Sequence, residues 1–101
     1  METTLFDVSW HQEKARRNFV KHGVSFRQAV TVLLDPMSLT LFDMYNSVNE
    51  ERWFTLGTSS EGRILAVSHT HRIAANGRIK IRVISARAAN RREISHYISR
   101  H

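Results

Sequence analysis

The spacing of apolar residues along the chain changes near Pro36. Before this proline, a short alternating stretch is followed by apolar residues three or four positions apart, which is the spacing of helices. After it, apolar and polar residues alternate, which is typical of half-buried strands. A helical spacing returns near the C-terminus. The pattern therefore predicts a strand, two helices, several strands and a final helix, in that order.

Capping signals define the first elements. Alternation predicts a strand over residues 6–10, and helical composition predicts a first helix over residues 12–22. Its expected buried face consists of Ala15, Phe19 and His22. Gly23 then supplies a left-handed C-cap. The second helix is predicted to begin after Ser25, which opens a capping box, and to end at Asp35-Pro36.

The alternating part of the chain predicts four strands with short polar connections. They are expected over residues 39–44, 53–58, 63–70 and 78–86. Short connections favour antiparallel neighbours, and Asn76-Gly77 is a strong hairpin signal. The last strand is expected to pack Ile79, Ile81 and Val83 on one face and to expose a cationic face of Arg78, Lys80 and Arg82.

The final helix completes the predicted architecture. Asn90 has the spacing of an N-cap to Glu93 at the third helical position. The order of elements predicts one α+β domain over residues 1–101, a mostly antiparallel β-sheet with two N-terminal helices and one C-terminal helix on one side. The cationic face of the last strand is then expected on the side that the helices leave open.

The positive charge of the chain is confined to its C-terminal part. The 101 residues carry 15 Lys or Arg and 9 Asp or Glu, a net charge of +6. Residues 1–60 contain 6 basic and 7 acidic side chains, whereas residues 61–101 contain 9 basic and 2 acidic ones. Most of the cations are arginine, whose planar guanidinium suits phosphate. Polyanion binding is one hypothesis, and a solvated basic face that keeps the protein soluble is the other.

Composition also excludes several classes of protein. The chain has no cysteine, which excludes thiolate metal sites, thiol nucleophiles and disulfides. No stretch approaches the ~20 apolar residues of a membrane span. Residues 1–10 contain Glu2 and Asp7 and lack the apolar run of a signal peptide. We therefore expect a cytoplasmic protein that has no cofactor and does not contact the membrane.

Two motifs have both a structural and a functional interpretation. The two-helix unit is similar to a helix-turn-helix, but its second helix offers few polar side chains to bases, so packing on a sheet is favoured. His69 and His71 have a spacing that can ligate a metal, but Glu61 is the only acidic residue between residues 52 and 92. A polar strand end is therefore favoured over a metal site.

Two further groups of basic residues leave both interpretations open. Lys21 and His22 either cap the first helix or offer a phosphate contact and a proton-transfer group at the rim of the sheet. Arginines also occur at the ends of the predicted strands. They either stabilise a phosphate whose charge grows in a transition state or bind a phosphate backbone without chemistry.

The sequence contains two distinctive blocks, Lys21-His22-Gly23-Val24-Ser25-Phe26 and Arg82-Val83-Ile84-Ser85-Ala86-Arg87. Further positions of the same pattern are Trp10, Lys14, Ala15, Asn18, Ala29, Asp35, Pro36, Glu51, Arg52, Gly57, Gly62, Arg63, Glu93 and Tyr97. Together they resemble the BrnT toxins of bacterial type II toxin-antitoxin systems. His11 stands where the family usually has Asp, so we expect a weaker or shifted start of the first helix.

The resemblance implies a fold, an activity and a partner. The fold would be RelE-like, and the activity would be that of a ribonuclease that arrests translation. The partner would be a BrnA-like antitoxin with a ribbon-helix-helix domain, with two toxins and two antitoxins in the assembly. DNA would be contacted only through the antitoxin.

Metal-independent RNA cleavage uses the 2′-hydroxyl of the substrate as nucleophile, so the protein must move protons and stabilise charge on phosphorus. We expect Arg63 and Arg87 to stabilise the phosphate, and His22 and Lys21 to transfer a proton or contribute charge. The expected RNA-binding residues are Arg72, Arg78, Lys80 and Arg82. The alternative functions are a non-catalytic RNA-binding module and a DNA-binding regulatory module.

Overall fold

The computed structural model describes residues 6–99, and six strands in this part of the chain form one sheet. The strands are β1 (Phe6–Trp10), β2 (Leu39–Phe42), β3 (Trp53–Thr58), β4 (Ile64–His69), β5 (Arg72–Ile73) and β6 (Ile79–Ala88). The helices are α1 (Gln12–His22), α2 (Phe26–Val32) and α3 (Arg91–Ser99), and Met44–Asn46 forms a 3-10 turn. Arg100, one of the basic residues counted above, and residues 1–5 lie outside the described residues.

The sheet is mostly antiparallel, as predicted. The strand order is β1-β6-β4-β3-β2, and β5 pairs with the start of β6. β1 runs parallel to β6, and the other pairs are antiparallel. The predicted α+β class with three helices is therefore confirmed. None of the helices in the described part of the chain has the length and apolar character to span a membrane.

Most element boundaries agree with the sequence pattern to within two residues. The sequence did not predict strand β5. Both of its residues are exposed, and it is defined by its backbone pairing with β6. The second helix ends at Val32, earlier than predicted. After Val32 the backbone continues to Asp35 in 3-10 hydrogen bonds, which join residues three positions apart. The first helix begins at Gln12 although the His11 side chain makes no capping hydrogen bond. The expected shift at His11 is therefore not seen.

The two faces of the sheet carry different helices. On one face, α1 and α2 cover β4 and β6, with Phe26 and Val32 packed against Leu65 and Val67. The alternate β4 residues face the other way, where Ala66 joins a second cluster with residues of α3. The prediction that all helices lie on one side is wrong, because α3 covers part of the cationic face. The end of β6 is therefore enclosed by α3.

The buried face of α1 differs from the predicted one. Phe19 is 56% exposed, whereas Asn18 is 7% exposed. Ala15 packs against the core as expected. The helix therefore turns a polar side chain toward the sheet, and the hydrogen bonds of Asn18 give the reason.

Asn18 joins α1 to β6 at the point where β1 ends. Its Nδ2 donates to the Ala86 carbonyl at 2.8 Å and to the Val24 carbonyl at 2.9 Å. Its Oδ1 accepts from the Ala86 N–H at 3.1 Å. The last residue of β1, Trp10, pairs with Val83, so β1 supplies no partner for β6 beyond this point. The Asn18 amide stands in for the peptide group that a longer β1 would provide.

Asp35 connects α2, β3 and α3. Its Oδ2 accepts hydrogen bonds from the Thr58 N–H at 2.9 Å and from the Tyr97 hydroxyl. Burial, followed by the hydrogen bond to Asp35, raises the pKa of Tyr97, so the hydroxyl stays protonated and donates. Gly57 lies against this junction, and a Cβ there would approach Val32 Cγ1 to 2.9 Å. Backbone contact at this point therefore requires glycine.

α3 begins with the predicted capping box. Asn90 Oδ1 accepts from the Glu93 N–H at 2.8 Å, and Glu93 Oε1 accepts from the Asn90 N–H at 2.9 Å. Arg87 also donates to both carboxylate oxygens of Glu93, at 2.8 and 2.9 Å. The hydrogen bond from Arg87, followed by that from the Asn90 N–H, lowers the pKa of Glu93, although burial opposes this. The pair fastens the first turn of α3 to the end of β6.

We expect Asn18→Ala to lower the free energy of unfolding by about 2–4 kcal/mol, because the Ala86 N–H and two carbonyls lose their partner in the interior. Urea denaturation measures this loss. The control is Gln12→Ala, which removes an amide from an exposed position of the same helix. Equal stability of the two variants would contradict the bridging role of Asn18.

We also expect the Arg87–Glu93 pair to make stability depend on pH. Since the pKa of Glu93 is lowered in the folded protein, its contribution is present above its ordinary pKa and is lost as pH falls through the folded value. At neutral pH, Glu93→Gln should be less stable than wild type by about 1 kcal/mol. Thermal denaturation between about pH 6 and about pH 3 should show this difference shrinking. A difference that is constant with pH would rule out the linkage.

Candidate nucleic-acid interface

A cleft of about 350 Å³ opens where the segment before β3 folds against β5 and β6. Its basic side chains are Arg72, Lys80 and Arg82. Its other polar residues are Ser9, Glu50, Glu51, Thr70 and His71. The cleft therefore gathers three of the four cations that the sequence predicts to bind RNA, together with two carboxylates and an imidazole.

The main chain holds Arg82 at the centre of this cleft. The Thr70 N–H donates to the Arg82 carbonyl at 3.0 Å, and the Arg82 N–H donates to Thr70 Oγ1 at 3.0 Å. Val83 packs in the core beneath α1 and α2, so the side chain of its neighbour Arg82 points to the opposite face. The predicted alternation of this strand is confirmed. Arg82 is thus presented to the cleft from a rigid strand.

The Arg82 guanidinium forms an ion pair with Glu50, a residue of the segment before β3. Arg82 Nη2 lies 2.5 Å from Glu50 Oε1, and the two side chains are 44% and 41% exposed. The hydrogen bond from Arg82 lowers the pKa of Glu50, and Lys14 and Arg52 lower it further through their charges. A half-exposed pair of this kind contributes little to stability. An incoming phosphate can therefore compete with Glu50 for Arg82.

A second groove, of about 270 Å³, lies beside the cleft along α1. Its basic side chains are Lys14, Arg17 and Lys21, and it is also lined by His22 and by Ile84 and Ser85 of β6. Both depressions contain residues of β6, since Arg82 lines the cleft and Ile84 lines the groove. Lys14 in the groove also acts electrostatically on Glu50 in the cleft. We call the cleft and the groove together the basic band.

Arg78 lies outside the cleft and is bound by β1. Its guanidinium donates to both carboxylate oxygens of Asp7, with Nη2 to Oδ1 at 2.6 Å. The hydrogen bond from Arg78 lowers the pKa of Asp7. The pair joins the first strand to the start of β6, next to Lys80.

The structure does not bring Arg63 and Arg87 together. Arg63 Nη1 donates to the Gly23 carbonyl at 3.4 Å, which puts it beside the C-terminus of α1 and the groove residues Lys21 and His22. Arg87 points to the other face of the sheet and binds Glu93. One predicted phosphate ligand therefore lies near the basic band, and the other is paired with Glu93 of α3.

A bulge in β6 determines where Arg87 points. Val83 pairs with His69 and Ser85 pairs with Ser68, so Ile84 is an extra residue in the strand. In a regular strand Arg82 and Arg87, which are five positions apart, would lie on opposite faces of the sheet. The bulge restores Arg87 to the same face as Arg82.

The two histidines of the predicted strand end have separate roles. His69 is 2% exposed, its Nε2 is 2.7 Å from Thr55 Oγ1, and its Nδ1 is 2.9 Å from the Thr70 carbonyl. Burial lowers the pKa of His69, so the neutral form is favoured. His71 is exposed and lines the cleft. The first histidine is therefore a structural support beneath the loop that carries the second.

Sequence reasoning missed five charged or titratable residues of the basic band, namely Lys14, Arg17, Glu50, Glu51 and His71. A signal existed for two of them, because Lys14, Arg17 and Lys21 are spaced by three and four positions and share one helix face. Glu50 had no local signal, since its partner Arg82 is thirty-two positions away.

Comparisons with known proteins agree with the fold and the resemblance. Residues 10–93 match the family model described as ribonuclease toxin, BrnT, of type II toxin-antitoxin system. Among solved structures, the chain is similar to the Brucella abortus ribonuclease toxin BrnT, with a TM-score of 0.60 and 21% identity over 87% of this chain and 100% of that chain. A search of curated proteins found no match. Because the family model covers most of its length, this chain belongs to the BrnT family of ribonuclease toxins of type II toxin-antitoxin systems.

Proposed function

We propose that this chain is a metal-independent endoribonuclease that arrests translation when its antitoxin is absent. The observation that carries the proposal is the convergence of Arg72, Lys80 and Arg82 in one cleft of a chain of the BrnT family. Clustered cations of this kind neutralise phosphates of a nucleic-acid backbone and release its counterions. The family supports the ribonuclease role, and the cleft is the surface that we assign to the substrate.

RNA follows the basic band in this proposal. The scissile phosphate lies in the cleft, and flanking phosphates contact Lys14, Arg17 and Lys21 in the groove. A groove that tracks the backbone with cations is a common way to hold a single strand. Glu50 leaves Arg82 when the phosphate enters. The exchange is feasible because the pair is half exposed and the guanidinium gains an anion in return.

The cations of the cleft also assist the chemistry. Attack of the 2′-hydroxyl raises the negative charge on the phosphate oxygens, and guanidinium groups fixed next to that charge lower the barrier. We assign this role to Arg82 and Arg72. The requirement for a 2′-hydroxyl restricts the reaction to RNA.

The other predicted site residues receive supporting roles. Lys21 and His22 contact the backbone in the groove, and Arg63 extends this contact near Gly23. Arg78 borders the cleft as a second layer of positive charge. Arg87 is on the same face as Arg82, and we propose that it reaches a phosphate only when it separates from Glu93.

We propose a BrnA-like antitoxin with a ribbon-helix-helix domain as the partner, in an assembly of two toxins and two antitoxins in the cytoplasm. The antitoxin covers part of the basic band, which blocks RNA. DNA is bound only by the antitoxin. A direct DNA-binding role of the two-helix unit is disfavoured, because α2 buries Phe26, Gln28, Ala29 and Val32.

We expect the purified chain to cleave labelled RNA to fragments in the presence of EDTA and to leave DNA of the same sequence intact. Gel electrophoresis after incubation measures both. Intact RNA with shifted mobility would instead identify a non-catalytic binder, and sequence-specific shifting of DNA would identify a regulator. Activity that requires added divalent metal would overturn the metal-independent mechanism.

We expect Arg82→Ala to weaken RNA binding and to reduce the slope of log affinity against log salt by about 1, since one phosphate contact is lost. Glu50→Gln should tighten binding a few-fold, because it removes the competing carboxylate. Fluorescence anisotropy over a salt series measures both changes. The control is Arg27→Ala, which removes an exposed arginine of α2 that lines neither the cleft nor the groove. An effect of Arg82→Ala no larger than that of the control would exclude Arg82 from RNA binding.

A further inference from the structure

The cleft contains proton-transfer groups as well as cations. We propose that Glu51 and His71 are the general base and the general acid of RNA cleavage, an assignment that rests on the proposed function. Both side chains line the cleft next to Arg72 and Arg82. An imidazole, a carboxylate without an ion pair in the described part of the chain and three cations therefore line one depression.

The geometry distinguishes Glu51 from its neighbour Glu50. The Glu50 carboxylate is bound to Arg82, and that hydrogen bond keeps it ionised and occupied. The exposed Glu51 side chain has no hydrogen bond or ion pair within residues 6–99. A general base must have a lone pair available to the substrate. Glu51 meets this condition in the cleft before RNA binds.

Comparison of the three histidines near the basic band favours His71 as the acid. Both ring nitrogens of His69 are occupied, by Thr55 and Thr70, and the ring is buried. His22 lies in the groove, whose lining contains no carboxylate in the described chain. His71 is exposed at the cleft, and its ring centroid lies 6.2 Å from that of Trp53. Within residues 6–99 the His71 ring nitrogens make no hydrogen bond, so they are available to a substrate.

The two groups complete the reaction without a further reactant. The Glu51 carboxylate takes the proton of the 2′-hydroxyl as O2′ forms a bond to phosphorus. The bond from phosphorus to O5′ breaks, and the imidazolium of His71 gives its proton to O5′. The products are a 2′,3′-cyclic phosphate and a 5′-hydroxyl. Exchange with water returns the proton from Glu51 to His71, so protons balance over the cycle.

Single-turnover cleavage tests the proposal by separating chemistry from binding. His71→Ala and Glu51→Gln should each lower the rate constant at saturating enzyme by at least about 100-fold, with RNA affinity changed only a few-fold. His96→Ala, which removes an exposed histidine of α3 that lines neither the cleft nor the groove, is the control. A cleavage rate of His71→Ala equal to that of the control would overturn the role of His71, and the same result with Glu51→Gln would overturn that of Glu51.

A modified substrate distinguishes proton donation from a structural role. RNA with sulfur in place of the bridging 5′-oxygen has a leaving group that needs no proton. We expect this RNA to restore cleavage by His71→Ala but not by Glu51→Gln. Loss of activity in His71→Ala without restoration would contradict its role as acid, since a distorted cleft would fail with both substrates.

The pH profile provides an independent readout. Charged or titratable groups that face His71 are Glu50, Glu51, Arg72, Lys80, Arg82 and, below the loop, His69. The wild-type rate should form a bell, because the base must be deprotonated and the acid protonated. Glu51→Gln should lose the acidic limb, and His71→Ala the basic limb. Unaltered limbs would overturn the assignment, whereas a wild-type protein that leaves RNA intact would overturn the proposed function itself.

Discussion

The fold depends on the hydrogen bonds of one buried amide, that of Asn18. β1 covers only the first half of β6, and the second half would expose an unpaired strand in the interior beside α1. Asn18 pairs with the Ala86 N–H and carbonyl and also holds the Val24 carbonyl after the turn at Gly23. Since an unpaired buried peptide group costs as much as a lost hydrogen bond, this side chain fixes α1 against β6. The groove of the basic band exists because of that attachment.

The helices on opposite faces of the sheet give the cations different environments. α1 and α2 leave the rim of β6 open, so Lys14 and Lys21 are accessible to a ligand. α3 closes the other end, where its first turn binds Arg87. Asp35 and Tyr97 hold this helix against the end of β3. The cations beside α1 therefore form an open surface, whereas Arg87 attaches α3 to β6.

The sequence pattern predicted features that depend on neighbours along the chain. The Gly23 cap, the Asn90 capping box and the hairpin at Gly77 are all local, and each was confirmed. At Ser25 the N-cap hydrogen bond from the Gln28 N–H forms, but the Gln28 side chain binds Glu61 and does not complete the capping box. The side of α3, strand β5 and the partners of the arginines depend on contacts between distant segments. The bulge at Ile84 is an example, because nothing in the β6 sequence indicates the extra residue that redirects Arg87. The cleft was therefore predicted by its charge but not by its acidic members.

The ion pairs of β6 explain why binding is expected at Arg82. The three arginines of this strand region each hold a carboxylate, from Asp7, Glu50 and Glu93 respectively. The Arg78–Asp7 and Arg87–Glu93 pairs each have two or more hydrogen bonds, and the Glu93 side chain is only 16% exposed. The first pair attaches β1 to the start of β6, and the second attaches α3 to its end. Arg82 has one hydrogen bond to a segment without regular structure. Phosphate exchange at Arg82 therefore disturbs the fold least, because the displaced carboxylate returns to water and no strand or helix loses its attachment.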